Sequence, residues 1–201
     1  MARYGMVVDL KRCVGCQACV AACKSEHNTP SGVFQTSVLD REVGVFPQAN
    51  RIFLPVLCNH CRKPVCVEVC PKKATFARED GVVMIDFERC IGCGACVEHC
   101  PYQARVLVAD HRTLFPDGRT VFEKPVHEVI PRKVALKCDL CFHRIDRRLK
   151  PACATVCPTE ARVFGDLDDP GSAVCRLLDK YEEWQILPEE GTEPCVYYIG
   201  S

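Results

Sequence analysis

The sequence predicts an α+β fold of two small cysteine-organised modules, the second inserted within the first, with a hairpin insertion and a C-terminal extension. Three observations lead there. Sixteen of the 18 cysteines in the 201-residue chain fall into four quartets. Residues 8–23 align without a gap with residues 85–100 and are identical at nine of sixteen positions, Asp9 with Asp86, Arg12 with Arg89 and Gly15 with Gly92 among them. Apolar runs at 6–10 and 82–87 stand before these repeated segments, each reading as a short strand that delivers the chain to a cysteine loop.

The first quartet is Cys13, Cys16, Cys19 and Cys23, and the third repeats its spacing at Cys90, Cys93, Cys96 and Cys100, followed by Pro101. Both have the spacing of bacterial ferredoxins. The second quartet, Cys58, Cys61, Cys66 and Cys70 with Pro71, has a slightly longer loop; the fourth, Cys138, Cys141, Cys153 and Cys157 with Pro158, has an eleven-residue gap. The first three cysteines of a quartet can converge from one compact stretch. The fourth is expected to begin a short helix that points away and ligates the neighbouring cluster. Disulfides suit this pattern poorly, because cysteines separated by two residues within one turn are badly placed to pair. Zinc takes its ligands in two separated pairs and has no use for a third cysteine so close by. Four 4Fe-4S clusters are therefore the expectation. Gly15 and Gly92 lie inside the loops, where glycine permits a backbone conformation closed to other residues and brings peptide N–H groups near sulfur.

Quartets two and three resemble one complete two-cluster ferredoxin, which implies that Cys58, Cys61, Cys66 and Cys100 hold one cluster and Cys90, Cys93, Cys96 and Cys70 another. Quartets one and four then pair across the chain. Cys13, Cys16, Cys19 and Cys157 hold one cluster, and Cys138, Cys141, Cys153 and Cys23 the last. On this reading residues 58–101 form a ferredoxin-like module inserted in a split module of residues 1–57 and 102–164, with residues 165–201 as a helix-strand extension. Closing so long a loop is entropically demanding, so a poorly folded apoprotein is expected.

Residues 25–57 read as a long connection, carrying His27, Asn28, Pro30, Gly32 and Pro47, that wraps the surface before re-entering as a strand over 52–57. Residues 108–134 contain the turn signal Phe115, Pro116, Asp117, Gly118 and read as a hairpin insertion, either a recognition feature or a surface excursion. Asp169, Pro170 and Ser172 open a helix that continues through Leu178, and residues 187–200 read as a turn followed by a strand over 195–199. This tail, with the sole tryptophan Trp184, covers either the cluster core or a partner. Cys175 and Cys195 stand outside the quartets and are expected to be free buried thiols.

Composition narrows the function. Lys and Arg total 26, as do Asp and Glu, so the basic excess of a nucleic-acid binder is absent. A 48% hydrophobic fraction excludes a disordered polypeptide. No run approaches the roughly 18 apolar residues of a membrane span, and the residues before Cys13 leave no room for a signal peptide, so the chain is expected neither to insert nor to export itself. An oxidised cluster with its thiolates carries about two negative charges, about eight for four. Lys11, Arg12, Lys72, Lys73, Arg89, Lys133, Lys137 and Arg144 are candidate compensators. His27, His60, His99, His111, His127 and His143 look scattered, with His60 and His99 placed to adjust hydrogen bonding among ligands; no separate histidine metal site is expected. All sixteen ligand positions are filled and no nucleotide-binding glycine loop is present, so the chain reads as a conductor of electrons without catalytic residues.

The four quartets, the gap before Cys153, Asn59 and His60 between Cys58 and Cys61, residues 138–146, and residues 165–170 together resemble the iron-sulfur subunit of molybdopterin oxidoreductases of the dimethyl-sulfoxide-reductase type. The resemblance runs from Tyr4 to Tyr198 and is closest to the polysulfide, thiosulfate, tetrathionate and arsenate reductase subunits. It implies a large catalytic partner with a molybdenum or tungsten bis-pterin cofactor, and a membrane anchor exchanging electrons with quinone. It further implies that the Cys13/Cys157 cluster lies nearest the catalytic subunit, followed by the Cys138/Cys23, Cys90/Cys70 and Cys58/Cys100 clusters. Nitrate reductase relatives replace one cysteine by tryptophan and hold a 3Fe-4S cluster; that replacement is absent, so four cubanes are implied. Export by the partner's twin-arginine signal would place the complex on the periplasmic face, with the cytoplasm as alternative. Relay in a formate dehydrogenase or hydrogenase complex, a free polyferredoxin, and a zinc-stabilised interaction module are the competing readings.

Overall fold

The computed structural model describes residues 2–109, 121, 130 and 133–200. The hairpin expected around residues 113–122 lies outside the described residues, apart from Val121.

The main sheet is built on β1, Tyr4–Asp9, whose Met6, Val7 and Val8 have no exposed surface. A strand buried on both faces needs apolar residues without alternation, and this run supplies them. β1 pairs antiparallel with β8, Arg162–Asp166, on one side and parallel with β10, Val196–Ile199, on the other; β10 in turn pairs with the two-residue β9, Glu183–Trp184. The order is β8-β1-β10-β9. The C-terminal strand therefore lies inside the main sheet, beside the first strand of the chain.

The two faces of this sheet do different work. Met6, Val8, Val196 and Tyr198 pack with Cys19, Cys58, Cys138 and Cys153, while Val7 and Ile199 pack with Val174 of a helix, Ala173–Lys180. Ser172 caps that helix, its hydroxyl accepting from the Cys175 amide at 3.2 Å. Tyr198 is fully buried, stacks on Trp184 with centroids 4.7 Å apart, and donates its hydroxyl to the Pro55 carbonyl at 2.9 Å. Tyr198→Phe is expected to cost about 1 kcal/mol, the net worth of a buried hydrogen bond, read as a lowered denaturation midpoint of the loaded protein. An unchanged midpoint would mean that the Pro55 carbonyl finds another donor.

Three two-stranded antiparallel ladders accompany the sheet: β2, Thr36–Val43, with β3, Asn50–Leu57; β4, Thr75–Ala77, with β5, Val83–Ile85; and β6, Arg105–Val108, with β7, Val134–Lys137. The first corrects the reading of residues 25–57 as a surface connection. The chain is helical to His27 and then forms an eight-residue antiparallel ladder from Thr36 opposite Leu57 to Val43 opposite Asn50. Only the base of that ladder is buried, at Thr36, Val38, Pro55 and Leu57, so its outer half lacks the alternation that betrays a strand.

The helices also begin earlier than the spacing suggested. α1, Ala18–His27, contains both Cys19 and Cys23; α2, Val65–Glu68, contains Cys66; α3, Ala95–Glu98, contains Cys96. α4, Phe142–Ile145, follows Cys141, and α5, Ala152–Thr155, contains Cys153. The third cysteine of each quartet is thus the helical one, and Cys70, Cys100 and Cys157 follow a helix end. The Ala173–Lys180 helix is α6.

Candidate metal centres

All 18 cysteines are free thiols, and those of the quartets meet across quartet boundaries. Cys70 lines one cavity with Cys90, Cys93 and Cys96; Cys100 lines another with Cys58, Cys61 and Cys66; Cys157 lines a third with Cys13, Cys16 and Cys19. In the remaining set all four thiols are buried, Cys138 close enough to feel the charge of Cys23 and Cys153, and Cys153 that of Cys141 and Cys23. The helices explain the exchange. A short helix after each loop carries the chain away from its first three cysteines before the fourth side chain emerges.

Burial pushes the thiols upward, Cys61 to about 12 and Cys66 and Cys153 to about 11, with neighbouring thiols adding to the rise. Opposing this are peptide N–H donors. Ala74 N donates to Cys70 Sγ and Ala161 N to Cys157 Sγ, each at 3.2 Å, at equivalent places in the repeated Cys-Pro-x-x-Ala turn. Burial raises these two thiols as well, but the turn's N–H groups outweigh it and hold both below the ordinary range.

The residues fit 4Fe-4S clusters. Each set offers four sulfur donors, and three of the sets each line a small cavity of their own. A zinc site takes its cysteines as two separated pairs, whereas each of these three sets draws three cysteines from one loop and the fourth from another. Gly15 and Gly92 shape two of the loops at φ +66° and +64°; a Cβ at Gly15 would fall 2.3 Å from the Phe53 ring and one at Gly92 1.9 Å from the Lys133 carbonyl oxygen. Backbone cannot yield as a side chain can. Gly92→Ala is expected to destabilise the loaded protein by about 1–3 kcal/mol, measured as a drop in denaturation midpoint; a midpoint equal to wild type would show that residue 133 moves freely.

Residues 12–75 match a family described as 4Fe-4S dicluster domain, and residues 49–115 and 124–167 match a second family of the same description. A tetrathionate reductase subunit of Salmonella typhimurium is 41% identical over 202 residues, covering 98% of this chain and 72% of that protein. The arsenate respiratory reductase iron-sulfur subunit of a Shewanella species is 37% identical over 226 residues, covering 99% and 97%. A polysulfide reductase subunit of Wolinella succinogenes is 35% identical over 202 residues, covering 99% and 95%. The protein belongs to the iron-sulfur electron-transfer subunits of the dimethyl-sulfoxide-reductase family. It is an electron-relay subunit of two ferredoxin-like dicluster modules with small sheets and helices added.

Several residues of this electron-transfer subunit are placed otherwise than its sequence suggested. Of the candidate compensating bases, Lys11, Arg12, Lys72, Lys73, Arg89 and Lys133 are exposed, and Arg144 is half-buried against Glu26 at 3.1 Å. Lys137 is buried, with its ammonium on the carbonyls of Val83 and Cys138. Among the described residues the other buried cations are Arg105 and Arg162, absent from that set although the repeated Cys-Pro-x-x-Ala-Arg pattern signals both. Cys195 is buried and Cys175 half-buried, its Sγ 3.4 Å from the Leu167 carbonyl.

Two histidines that looked scattered come together. His27 Nε2 lies 2.8 Å from Asp139 Oδ1, and His143 Nε2 lies 2.7 Å from Glu26 Oε1, so α1 is clamped to the loop and helix after Cys138. Burial works against a charge on His27, but the bonds to Asp139 and to the Cys141 and Cys23 region outweigh it and hold its pKa well above the usual range. Donor atoms of His27, Asp139 and His143 lie within 4.8 Å of one another, each already engaged with a protein partner or with each other. His60 is fully buried and accepts from the Val83 amide through Nδ1, and burial keeps it neutral. His99 is exposed and bonds the Ala95 carbonyl. His111 and His127 lie outside the described residues.

Proposed function

We propose that the chain holds four 4Fe-4S clusters and relays electrons between a molybdopterin catalytic subunit and a quinone-linked membrane anchor or other redox partner, in a sulfur-compound or arsenate reductase complex. The ligand sets are Cys13, Cys16, Cys19 and Cys157; Cys138, Cys141, Cys153 and Cys23; Cys90, Cys93, Cys96 and Cys70; and Cys58, Cys61, Cys66 and Cys100. Residues 58–101 are the inserted module, residues 1–57 and 102–164 the split one, and 165–201 the extension. The observation that carries the reading is the meeting of thiols in fours, with peptide N–H groups turned toward their sulfurs.

When bound, a cluster with all four thiolate ligands supplies one-electron exchange and no site for substrate. The protein's part is to hold the sulfurs, neutralise their charge and exclude water. Cys19, Cys23, Cys58, Cys96, Cys138, Cys141 and Cys153 are buried, while Cys16 and Cys93, at equivalent places in the repeat, are exposed. No helix among the described residues is long and apolar enough to cross a membrane, so the anchor is assigned to a partner. The tetrathionate, arsenate and polysulfide reductase names of the relatives support the substrate class, and an exported catalytic subunit would place the complex on the periplasmic face.

The test is anaerobic native purification with iron, acid-labile sulfide, molybdenum and tungsten counted per complex and the partner identified by mass. About sixteen iron and sixteen sulfide from this chain, beside a pterin-bearing subunit, are expected. Zinc without sulfide would overturn the clusters, and an iron-loaded monomer would overturn the complex.

A further inference from the structure

Arg105 and Arg162 are the only guanidinium groups among the described residues that are buried, at 6% and 3% exposed. Each stands five positions after the last cysteine of a quartet, in the shared pattern Cys-Pro-x-x-Ala-Arg after Cys100 and Cys157; the same place after Cys70 holds Thr75. Their surroundings repeat as well. Arg105 Nη2 donates to Cys66 Sγ at 2.8 Å and Nη1 to the Thr75 hydroxyl at 3.3 Å, and the guanidinium feels Cys66 and Cys58 of one thiol set and Cys96 of the neighbouring set. Arg162 Nη2 donates to the Thr36 hydroxyl at 3.0 Å, and the guanidinium feels Cys19 of one set and Cys153 and Cys138 of the next. Its Nη1 is buried with no acceptor among the described residues, although Arg162 lines the cavity formed by Cys13, Cys16, Cys19 and Cys157.

A buried guanidinium is costly unless a negative charge faces it. Neither arginine pairs with a carboxylate among the described residues, so the sulfurs are the counter-charge. One cation between two sulfur sets stabilises the extra negative charge that either set acquires on reduction, and so raises both potentials. A single arginine of this kind serves each module.

We propose that Arg105 and Arg162 are the potential-setting residues of the relay, Arg105 raising the reduction potentials of the two clusters of the inserted module and Arg162 those of the two clusters of the split module, with Arg162 Nη1 donating to the sulfur of the group held by Cys13, Cys16, Cys19 and Cys157. This rests on the cluster reading above. It assigns the setting of the relay's potentials to two buried side chains instead of to the exposed lysines and arginines around the loops.

The experiment is an EPR-monitored redox titration of the intact complex carrying R162M, R162K or R105M, with iron counted in each. Signals are assigned by their loss in Cys13→Ser and Cys138→Ser for the split module, and in Cys90→Ser and Cys58→Ser for the inserted one. R162M is expected to shift both split-module centres downward by at least tenfold in the oxidised-to-reduced ratio, about 59 mV for one electron, and to leave the inserted-module centres in place. R105M is expected to do the reverse. R162K, which keeps the charge but loses the second guanidinium nitrogen that faces the cavity, should hold full iron and lower the split-module centres by about two- to threefold in the same ratio. If R162M loses iron, R162K decides: split-module centres lowered at full iron support the proposal, and unmoved ones overturn it. Equal shifts at all four centres, unmoved potentials in R162M or R105M at full iron, or loss of iron from both Arg162 variants would each overturn it. A wild-type chain without iron and sulfide would instead overturn the cluster reading, before any variant is titrated.

Discussion

Cys23→Ser and Cys138→Ser are expected to abolish the same cluster signal, although 115 residues separate the two positions, and Cys13→Ser and Cys157→Ser to abolish a different one. The reason lies in α1. Cys19 and Cys23 sit on the same helix, four residues and about 6 Å of rise apart, yet they face different neighbours. Cys19 feels Cys13, Cys157 and Cys16, whereas Cys23 lies against Cys138 and Cys153. Each serine variant should lose about four iron of about sixteen, or one iron with conversion of the affected centre to a three-iron signal. EPR of the four reduced single variants reads the outcome. Loss of one common signal in Cys13→Ser and Cys23→Ser, neighbours in sequence, would show that each quartet holds its own cluster and would sink the crossed assignment.

Stripping iron from the loaded protein is expected to remove its cooperative unfolding transition altogether. Cys19, Cys58, Cys138 and Cys153 are members of the main core, packed with Met6, Val8 and Tyr198, so the sulfur sites are not appendages to a finished hydrophobic interior. Structural metal sites of this kind contribute on the order of 10 kcal/mol each to folding, comparable to the whole stability of a domain. The strands of the inserted module are three residues long at Thr75–Ala77 and Val83–Ile85, too short to persist as an isolated hairpin. Amide exchange after anaerobic oxidation and chelation should therefore lose protection first in residues 58–100 and in the cysteine loops. The β1, β8 and β10 strands with α6 have their own apolar contacts at Val7, Val174 and Ile199 and should retain the most. An apoprotein melting cooperatively within a few degrees of the loaded form would contradict this account.

Much of the molecule was legible because cysteine spacing is a local constraint with few physical solutions. Four quartets, an internal repeat and the strands before it are short-range patterns, and the structure has strands at Tyr4–Asp9 and Val83–Ile85 where the apolar runs stand. The tail's helix and strand were equally readable, from the opening at Asp169 and Pro170 and the run before Gly200, although the helix itself starts only at Ala173 with Ser172 as its cap. The β2–β3 hairpin was not, because its outer half projects into solvent with Leu39 and Ile52 exposed and so obeys no burial period. The helix starts were misjudged by one cysteine, since the same spacing accommodates either register.

By itself, then, the sequence determined the chemistry: sixteen thiols in a spacing that suits cubane clusters, on a chain with no charge excess and no catalytic motif. Only the tertiary structure decided which cations matter and what lies beside what. The sequence repeats an arginine at 12 and 89 as well as at 105 and 162, but only Arg105 and Arg162 are enclosed among sulfurs, while Arg12 and Arg89 face water. The tail looked equally suited to covering the core or a partner, and the parallel pairing of β10 with β1 made it core. Such placements depend on contacts between residues far apart in sequence, 39 positions for Arg105 and Cys66 and 126 for Arg162 and Thr36, and local spacing does not say which side chains those contacts enclose.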